Sequence, residues 1–458
     1  MILSKVVERF IEKTPLSVMA CALMEHALAP KELDKLFKRH ANTGYTRELL
    51  FSTVVDLMGV VVSKTYPSVH AAYQDVSDTF PVSITSLYNK LNNLEPCVTS
   101  ALVCHTAERL TPLIVEMKGE IPALLPGYRV RIVDGNHLAA TERRLEVLHE
   151  SKAGPLPGHA LVVLDPALML VTHIIPCEDG HAQERSLFAA LLELVKARDV
   201  WIDDRNFCTI GFLAGIVKKD AFFITRHHAG MKIVSAGTLR LCGRTVTGTV
   251  YEQSVTILDS DGKEFKMRRI VLRLDKSTRD GDTEISILTN LPKEAADAVA
   301  IAKLYRERWT LETMFQSLTM MLRGEVDTLG YPRAALFGFG IALATYNVLS
   351  TVQAALRGHF GVEKVQDEVS AYYIACEVRV KLPGMLIAIE PVEWEGFQVS
   401  TPVALAKEML GWAAHVQLRK LKRHPRGEKK PVPKRTRFLK ETHVSTAKLL
   451  AKSRGKSP

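Results

Sequence analysis

The stretch YRVRIVDGN, residues 128–136, marks the point where a helical sequence pattern gives way to a β-sheet pattern. Residues 129–133 alternate between basic and apolar side chains, which predicts a half-buried strand that ends at Asp134-Gly135. A carboxylate that follows an apolar strand is costly to bury unless a cation neutralises it. Asp134 is therefore a candidate metal ligand, although taken alone it could simply open an Asp-Gly turn.

The apolar runs downstream predict a mixed α/β domain, in which helices cover one sheet. Strands are predicted at residues 159–164, 168–174, 200–202, 221–225 and 284–289, and helices at 183–197 and 207–218. The strand at 200–202 leads into Asp203-Asp204, so that a second carboxylate follows an apolar strand. Asp204 is either a metal ligand or the N-cap of the next helix.

Residues 228–283 interrupt this domain with a different pattern. Residues 245–258 and 264–274 are rich in Val, Thr and Ile with interspersed Arg, and Asp261-Gly262 lies between them. Because an Asp-Gly pair between two β-rich runs is typical of a hairpin, we expect a small β insertion here.

A long helix is predicted at residues 295–322, and it carries the most specific pattern in the chain. At 100° per residue, Tyr305, Arg308 and Glu312 fall within about 60° of one face. An adjacent apolar stripe would pack this helix on the sheet. A phenol, a guanidinium and a carboxylate in one row indicate a site, and the simpler alternative is a surface ion pair between Arg308 and Glu312.

Residues 1 to about 115 are predicted to be helical. Two short helices, at residues 69–77 and 83–94, flank a turn near 78–81, which is the spacing of a helix-turn-helix. In that interpretation Lys90 and its polar neighbours on the second helix would face DNA. An ordinary helical hairpin explains the same pattern equally well.

Basic residues are concentrated at the end of the chain. From Arg419 onward there are fifteen Lys and Arg against two Glu, a net +13, whereas the whole chain nets +10, which leaves about −3 for residues 1–418. A near-neutral body with a basic tail indicates a polyanionic partner, with nucleic acid as the first candidate. The alternative is a loosely ordered, solubilising tail.

Residues 334–356 carry no charge and are long enough to span a bilayer. Polar residues such as Asn347 and Gln353 within them favour a buried helix of a large core instead, and we expect no membrane partner. Met1–Lys13 lacks the apolar segment of a signal peptide, which favours a cytoplasmic location.

Three motifs in chain order resemble the insertion-sequence 4 family of DDE transposases, the bacterial cut-and-paste enzymes. The first is Asp134-Gly135-Asn136, the second is Asp204-Arg205-Asn206-Phe207, and the third is the family's Y-x2-R-x3-E signature at Tyr305, Arg308 and Glu312. A β insertion between the second and third motifs also matches. The resemblance covers roughly residues 125–350.

The resemblance implies an α/β fold with an RNase H-like catalytic core, a mixed β-sheet flanked by helices. The implied organisation is a helical N-terminal DNA-binding domain at 1–120, the DDE core at 125–227 and 284–360, a β insertion at 228–283, a helical C-terminal region at 361–418 and a basic tail at 419–458.

The resemblance also implies the chemistry. Asp134, Asp204 and Glu312 would hold two Mg²⁺ or Mn²⁺ ions for cleavage at insertion-sequence ends and strand transfer into target DNA. The remaining implied contacts are to phosphates, from Tyr305 and Arg308 and from Arg268, Arg269 and Arg273 of the insertion. The partners would be double-stranded DNA, as terminal inverted repeats and as target, and a second copy in a homodimeric synaptic complex in the bacterial cytoplasm.

One departure from the family leaves two other functions open. The Lys of the signature would fall at Thr319, and Arg323, predicted one turn further along the same face, could supply the charge. A catalytically inactive, transposase-derived DNA-binding protein and an RNase H-like nuclease without strand transfer are the alternatives.

Overall fold

The computed structural model describes residues 4–42, 48–138, 141–142, 144–150, 153–258, 262, 264–278, 281–424 and 444–453. Helices form the N-terminal part, as predicted. They are α1 (Lys5–Lys13), α2 (Pro15–Ala27), α3 (Pro30–His40), α4 (Phe51–Val62), α5 (Val69–Val76), α6 (Ile84–Asn93) and α7 (Pro96–Glu116). Ser4, Ser68 and Ser83 each accept a hydrogen bond from a first-turn backbone N–H, which fixes where α1, α5 and α6 begin.

A mixed sheet, ten-stranded in the described part of the chain, forms the centre of the protein. The strands and helices of this region are β1 (Arg129–Leu138), α8 (Glu146–His149), β2 (Pro155–Leu156), β3 (Gly158–Asp165), β4 (Leu170–Cys177), α9 (Phe188–Leu194), β5 (Asp199–Asp203), α10 (Ile210–Lys218), β6 (Phe222–Arg226), β7 (Ser235–Ala236), β8 (Arg240–Thr245), β9 (Gly248–Leu258), β10 (Glu264–Leu274) and β11 (Glu284–Thr289). The sheet order is β4-β3-β1-β5-β6-β11-β10-β9-β7, with β8 also paired to β9. The predicted core strands after β1 are all present, within three residues of their predicted bounds.

Strand β1 is longer than predicted, and its pairing positions Asp134. It runs parallel to β5 only as far as Ile132, but it continues antiparallel to β3 through Leu138. The prediction that the strand ends at Asp134 was wrong, because β3 provides hydrogen-bonding partners beyond that point. Asp134 thus lies just past the end of a parallel pair, where side chains from neighbouring strands can meet.

The sheet separates two apolar cores, because successive side chains of a strand point to opposite faces. The first core contains Ile132 and Ile202 and continues into the N-terminal and C-terminal helices. The second contains Val133 and Trp201 and is covered by α9 and α10. The predicted N-terminal domain and the predicted catalytic core therefore share one apolar core.

The insertion extends the central sheet. β9 and β10 pair antiparallel over their whole lengths, which confirms the predicted hairpin strands. β10 then pairs with β11, and β11 pairs with β6 of the core. Gly262 at the hairpin turn has a φ of 76°, which glycine adopts without strain, and Asp261 lies outside the described residues.

The helix predicted at residues 295–322 is divided into α11 (Ala298–Arg306) and α12 (Trp309–Met321). At the junction, the N–H of Arg308 donates to the carbonyl of Tyr305 at 3.2 Å, and the N–H of Thr310 donates to the carbonyl of Glu307 at 2.9 Å. These i to i+3 bonds tighten the chain and end the first helix. The single-helix prediction was wrong because apolar periodicity reports the buried face and not the backbone hydrogen bonding.

Helix α13 (Pro332–Phe360) is long and apolar enough to cross a membrane, but its most apolar part is wholly buried in the protein. One polar residue within this helix, Asn347, is buried because its amide forms hydrogen bonds with the backbone of a neighbouring strand. Its Nδ2 donates to the carbonyl of Val171, and its Oδ1 accepts from the N–H of Val171, both at 2.8 Å. Asn347 therefore satisfies backbone groups of strand β4, which agrees with the buried-helix interpretation.

The C-terminal elements follow α13. They are α14 (Val362–Glu368), α15 (Ala371–Ala388), α16 (Val392–Gln398), α17 (Pro402–Ala413), β12 (Val444–Ser445) and α18 (Thr446–Ser453). Most of the basic tail, at 425–443 and 454–458, lies outside the described residues. Loose order was the wrong expectation for 444–453, because β12 pairs with β2, and Ser445 Oγ donates to Asp179 Oδ1 at 2.6 Å.

Candidate active site

Asp134 is partly buried in the sheet and has two hydrogen-bond partners. Its Oδ1 accepts from the N–H of Gly135 at 2.9 Å, and its Oδ2 accepts from Nη1 of Arg308 at 3.2 Å. Burial raises the pKa of Asp134 to about 7, because loss of solvent outweighs the attraction of Arg308, and the nearby charge of Asp204 adds to the rise. Asp134 is therefore a carboxyl group that lacks enough positive charge around it.

The two adjacent aspartates at the end of β5 have different environments. Asp203 lies on the strand with its side chain fully buried, and no described residue donates a well-formed hydrogen bond to its carboxyl oxygens. Desolvation raises the pKa of Asp203 well above its usual range. Asp204 lies just after the strand, and its Oδ1 accepts from the N–H of Asn206 at 2.7 Å. Only Asp204 has the partly open position that a ligand to a substrate-bound ion needs.

Arg308 joins the carboxylates of β1 and α12. The Nη1 atom that contacts Asp134 also lies 2.6 Å from Oε1 of Glu312. The Arg308 side chain is only 13% exposed, whereas that of Glu312 is 44% exposed. Tyr305 is buried beside this guanidinium, and burial raises the pKa of its phenol to about 12. The predicted Tyr, Arg and Glu thus meet despite the break between α11 and α12.

The donor chemistry of this edge fits a hard divalent cation. Asp134, Asp204 and Glu312 interact electrostatically, and Arg308 offsets only part of their charge. Within the described ranges, no three acidic, His or Cys side chains are already arranged as a complete set of metal ligands. Since Arg308 bridges two of the three carboxylates, binding of an ion there requires this guanidinium to move.

Residues 125–347 match the family model of the transposase DDE domain. The matched segment includes Asp134, Asp204 and Glu312. A Sinorhizobium fredii protein named as a transposase, y4zB, is 32% identical over 131 residues. A Geobacillus stearothermophilus protein named as a transposase for insertion sequence element IS5377 is 26% identical over 207 residues. These alignments cover 28% and 44% of this chain, and 35% and 49% of the relatives.

Together these matches support a DDE transposase. A mixed sheet flanked by helices also fits a transposase DDE domain. The chain spans less than half of the length of the two relatives.

Glu184 is an additional carboxylate near Asp134 and Asp204, and the sequence did not predict it. It begins the short 3-10 turn Glu184–Leu187 before α9, and its Oε2 accepts from Nδ2 of Asn206 at 3.3 Å. Burial, and then the charge of Asp204, raises the pKa of Glu184. The sequence held a signal in Gly135, since a side chain there would collide with the Glu184 carboxyl.

The three insertion arginines predicted to contact phosphate differ in exposure. Arg268 faces inward, where its Nη1 donates to the carbonyls of Leu291 and Ala296 at 3.0 and 2.8 Å and its Nε pairs with Glu252 at 2.6 Å. Arg269 Nε donates to Ser286 Oγ at 2.8 Å. Arg273 is 55% exposed, lies over the Tyr251 ring and has its Nε 3.5 Å from Oε2 of Glu284. Arg268 is engaged within the protein and Arg273 is largely exposed, and the phosphate contacts of all three arginines stay predictions.

Two other predicted DNA contacts are held within the protein. Lys90 Nζ donates to the carbonyl of Leu49 at 3.1 Å and lies 4.6 Å from the centre of the Phe37 ring. Arg323 lies beyond the end of α12 and donates to the carbonyl of Pro67. The expectation that Arg323 shares the helix face of Thr319 was wrong, because the helix ends at Met321. Neither placement favours a phosphate contact.

The predicted helix-turn-helix corresponds to α5 and α6, and Ser83 is the N-cap of α6. Thr85, Ser86 and Asn89 are exposed, while Leu87 and Leu91 are buried. A polar outer face over an apolar inner one suits both a recognition helix and an ordinary surface helix. The DNA-binding role of α6 therefore stays a prediction.

Proposed function

We propose that this protein is a cut-and-paste DDE transposase of the insertion-sequence 4 type, built on an RNase H-like core. It would cleave DNA at insertion-sequence ends and join these ends to target DNA. The observation that carries the proposal is the Arg308 guanidinium, which bridges Asp134 of β1 and Glu312 of α12 although 174 residues separate Arg308 from Asp134. Asp204, from a third segment, adds its charge to the same edge.

Asp134, Asp204 and Glu312 are the residues that would hold two Mg²⁺ or Mn²⁺ ions. Such ions lower the pKa of the attacking water and stabilise the leaving oxygen of a phosphodiester. Arg308 keeps the carboxylates of Asp134 and Glu312 together in their absence, and on release it can bind a phosphate in bidentate fashion. Tyr305 lies beside Arg308 and would hold its guanidinium towards the DNA.

The partners belong to the same proposal. Terminal repeats and target DNA would contact the protein through exposed cations such as Arg273 and through the basic tail, mostly at phosphates. A homodimer would hold two DNA ends, and the location would be the bacterial cytoplasm. The proposal includes a helical N-terminal DNA-binding domain at 1–120, a DDE core at 125–227 and 284–360, a β insertion at 228–283, a helical C-terminal region at 361–418 and a basic tail at 419–458.

A cleavage assay with the DNA that flanks the gene tests this function. The wild-type chain should nick and then join this DNA only with Mg²⁺ or Mn²⁺, and Asp204→Asn should lose both steps while still binding DNA. Asp203→Asn is the matched control, because Asp203 is buried away from solvent, and it should retain cleavage if it folds, which circular dichroism would check.

Each other outcome has a distinct meaning. Nicking without joining would indicate a nuclease, and DNA binding without nicking would indicate an inactive derivative. Full cleavage by Asp204→Asn would remove Asp204 from the site.

A further inference from the structure

Glu184 approaches strand β1 at the residue that follows the first catalytic aspartate. A Cβ atom built on Gly135 would overlap the Oε1 atom of Glu184, so a side chain at this position would push the Glu184 carboxyl away from its observed place. The φ angle of Gly135 is not among the positive values in the chain, so backbone conformation alone does not require glycine here. The space that Gly135 leaves is therefore occupied by the Glu184 carboxyl.

The other oxygen of Glu184 is tied to the segment that holds the second aspartate. Nδ2 of Asn206 donates to Glu184 Oε2 at 3.3 Å, while the backbone N–H of Asn206 donates to Asp204 Oδ1 at 2.7 Å. A single carboxyl group thus lies between the neighbour of Asp134 and the loop of Asp204. This placement is specific, because it depends on strand β1 and on the turn that follows β5.

The charge at this position lacks local compensation. Among the described residues, no Lys, Arg or His forms an ion pair with Glu184, although the group is half-buried. Clustered, partly desolvated carboxylates repel each other, and a hard cation with oxygen ligands relieves that repulsion. Arg308, the cation of the site, is engaged with Asp134 and Glu312.

We propose that Glu184 is a fourth carboxylate of the metal-binding edge and contributes directly to divalent-ion affinity beside Asp134 and Asp204. This inference rests on the proposed function. It gives Gly135 a role as the residue that admits the Glu184 carboxyl. The competing role for Glu184 is positional, in which its hydrogen bond to Asn206 merely fixes the Asp204 loop.

Isothermal titration of the full chain with Mn²⁺, without DNA, separates these two roles. Glu184→Gln keeps an acceptor for Asn206 but removes the charge, and it should weaken Mn²⁺ binding by at least the roughly 10- to 100-fold that loss of an outer partner of a metal ligand already causes. Asn206→Ala removes the hydrogen bond but keeps the charge, and it should stay within about 3-fold of wild type. Thermal unfolding without metal should show that both variants fold.

A second pair of variants tests the steric part of the proposal. Gly135→Ala should displace the Glu184 carboxyl and weaken Mn²⁺ binding, but it should cost little further affinity when Glu184→Ala is already present. Such non-additivity is expected of residues that act through one contact. Additive losses would show that Gly135 acts independently of Glu184.

The outcomes distinguish failure of this inference from failure of the proposed function. If wild type binds Mn²⁺ and cleaves DNA while Glu184→Gln binds Mn²⁺ equally well, the fourth-carboxylate role is overturned and the transposase proposal stands. A larger loss in Asn206→Ala than in Glu184→Gln would replace the metal role with the positional one. If wild type neither binds Mn²⁺ nor cleaves DNA, both proposals fall.

Discussion

Arg268 lies in the insertion, and Arg308 lies beside Asp134, Asp204 and Glu312. Each side chain is 13% exposed, yet the two arginines differ in how many carboxylates they bind. Arg268 is bound by one carboxylate, Glu252, and by two backbone carbonyls. Arg308 is bound by two carboxylates from different elements, Asp134 and Glu312. The first arrangement joins a strand to the start of a helix, and the second holds like charges together.

The difference lies in the charge balance around each guanidinium. Arg268 and Glu252 form a one-to-one pair within the hairpin. Arg308 faces Asp134 and Glu312 directly, with Asp204 close enough to raise the pKa of Asp134. The excess of negative charge around Arg308 is therefore the feature that favours the proposed metal site, and the one-to-one pair of Arg268 and Glu252 lacks it.

The largest expected difference between the two arginines is in folding stability. Arg268→Ala would leave Glu252, whose side chain is 15% exposed, without its partner, and the loss should approach the about 3–5 kcal/mol typical of a fully buried pair. Arg308→Ala should cost less than half as much, because Asp134 can take up a proton near pH 7 instead of remaining charged. Denaturant unfolding without metal measures both losses.

Arg240→Ala is the control for this pair, since Arg240 is exposed on β8 and its loss should change stability by no more than about 0.5 kcal/mol. Equal losses for Arg268→Ala and Arg308→Ala would mean that Arg308 is an ordinary structural arginine.

A second test uses pH, because the positive charge near Asp134 only partly offsets the cost of ionising its carboxyl group. Folded Asp134 keeps its proton to about pH 7, whereas its ordinary pKa is 3.8. The stability it contributes is therefore complete below about pH 4 and is lost as pH rises through 7, by up to about 4 kcal/mol at about 1.4 kcal/mol per pKa unit.

Asp134→Asn should flatten this pH dependence in metal-free unfolding experiments at pH 5 to 8. A variant with the same slope as wild type would show that Asp134 does not titrate in this range.

The two arginines also show why the sequence could predict the position of Arg308 in a site but not the inward placement of Arg268. Tyr305, Arg308 and Glu312 were found because their spacing survives the break at Glu307, even though the single helix predicted there does not. Arg268 and Arg269 are adjacent and therefore point to opposite faces of β10. Arg268 is bound by the carbonyls of Leu291 and Ala296, in the segment between β11 and α11, and no local pattern carries that information.

Long-range contacts account for the other differences. The length of β1 depends on β3, the inward position of Lys90 depends on Leu49 and Phe37, and the docking of 444–453 depends on β2. Glu184 was missed because its neighbours, Gly135 and Asn206, are distant in the chain. Strand positions could be predicted because apolar runs and turn residues are local.

The smallest expected effect is on the salt dependence of DNA binding, which should differ between an exposed cation, Arg273, and an internally bound one, Lys90. Arg273→Ala should reduce the slope of log Kd against log salt by about 0.9, the value for one phosphate contact on duplex DNA, because its side chain is 55% exposed. Lys90→Met should leave the slope unchanged, since the ammonium already donates to the carbonyl of Leu49. Fluorescence anisotropy with a duplex across a KCl series measures both slopes, and circular dichroism shows that each variant is folded. A decrease for Lys90→Met equal to that for Arg273→Ala would mean that Lys90 leaves its internal position to contact DNA, and the distinction between buried and exposed cations would then fail for the helical region.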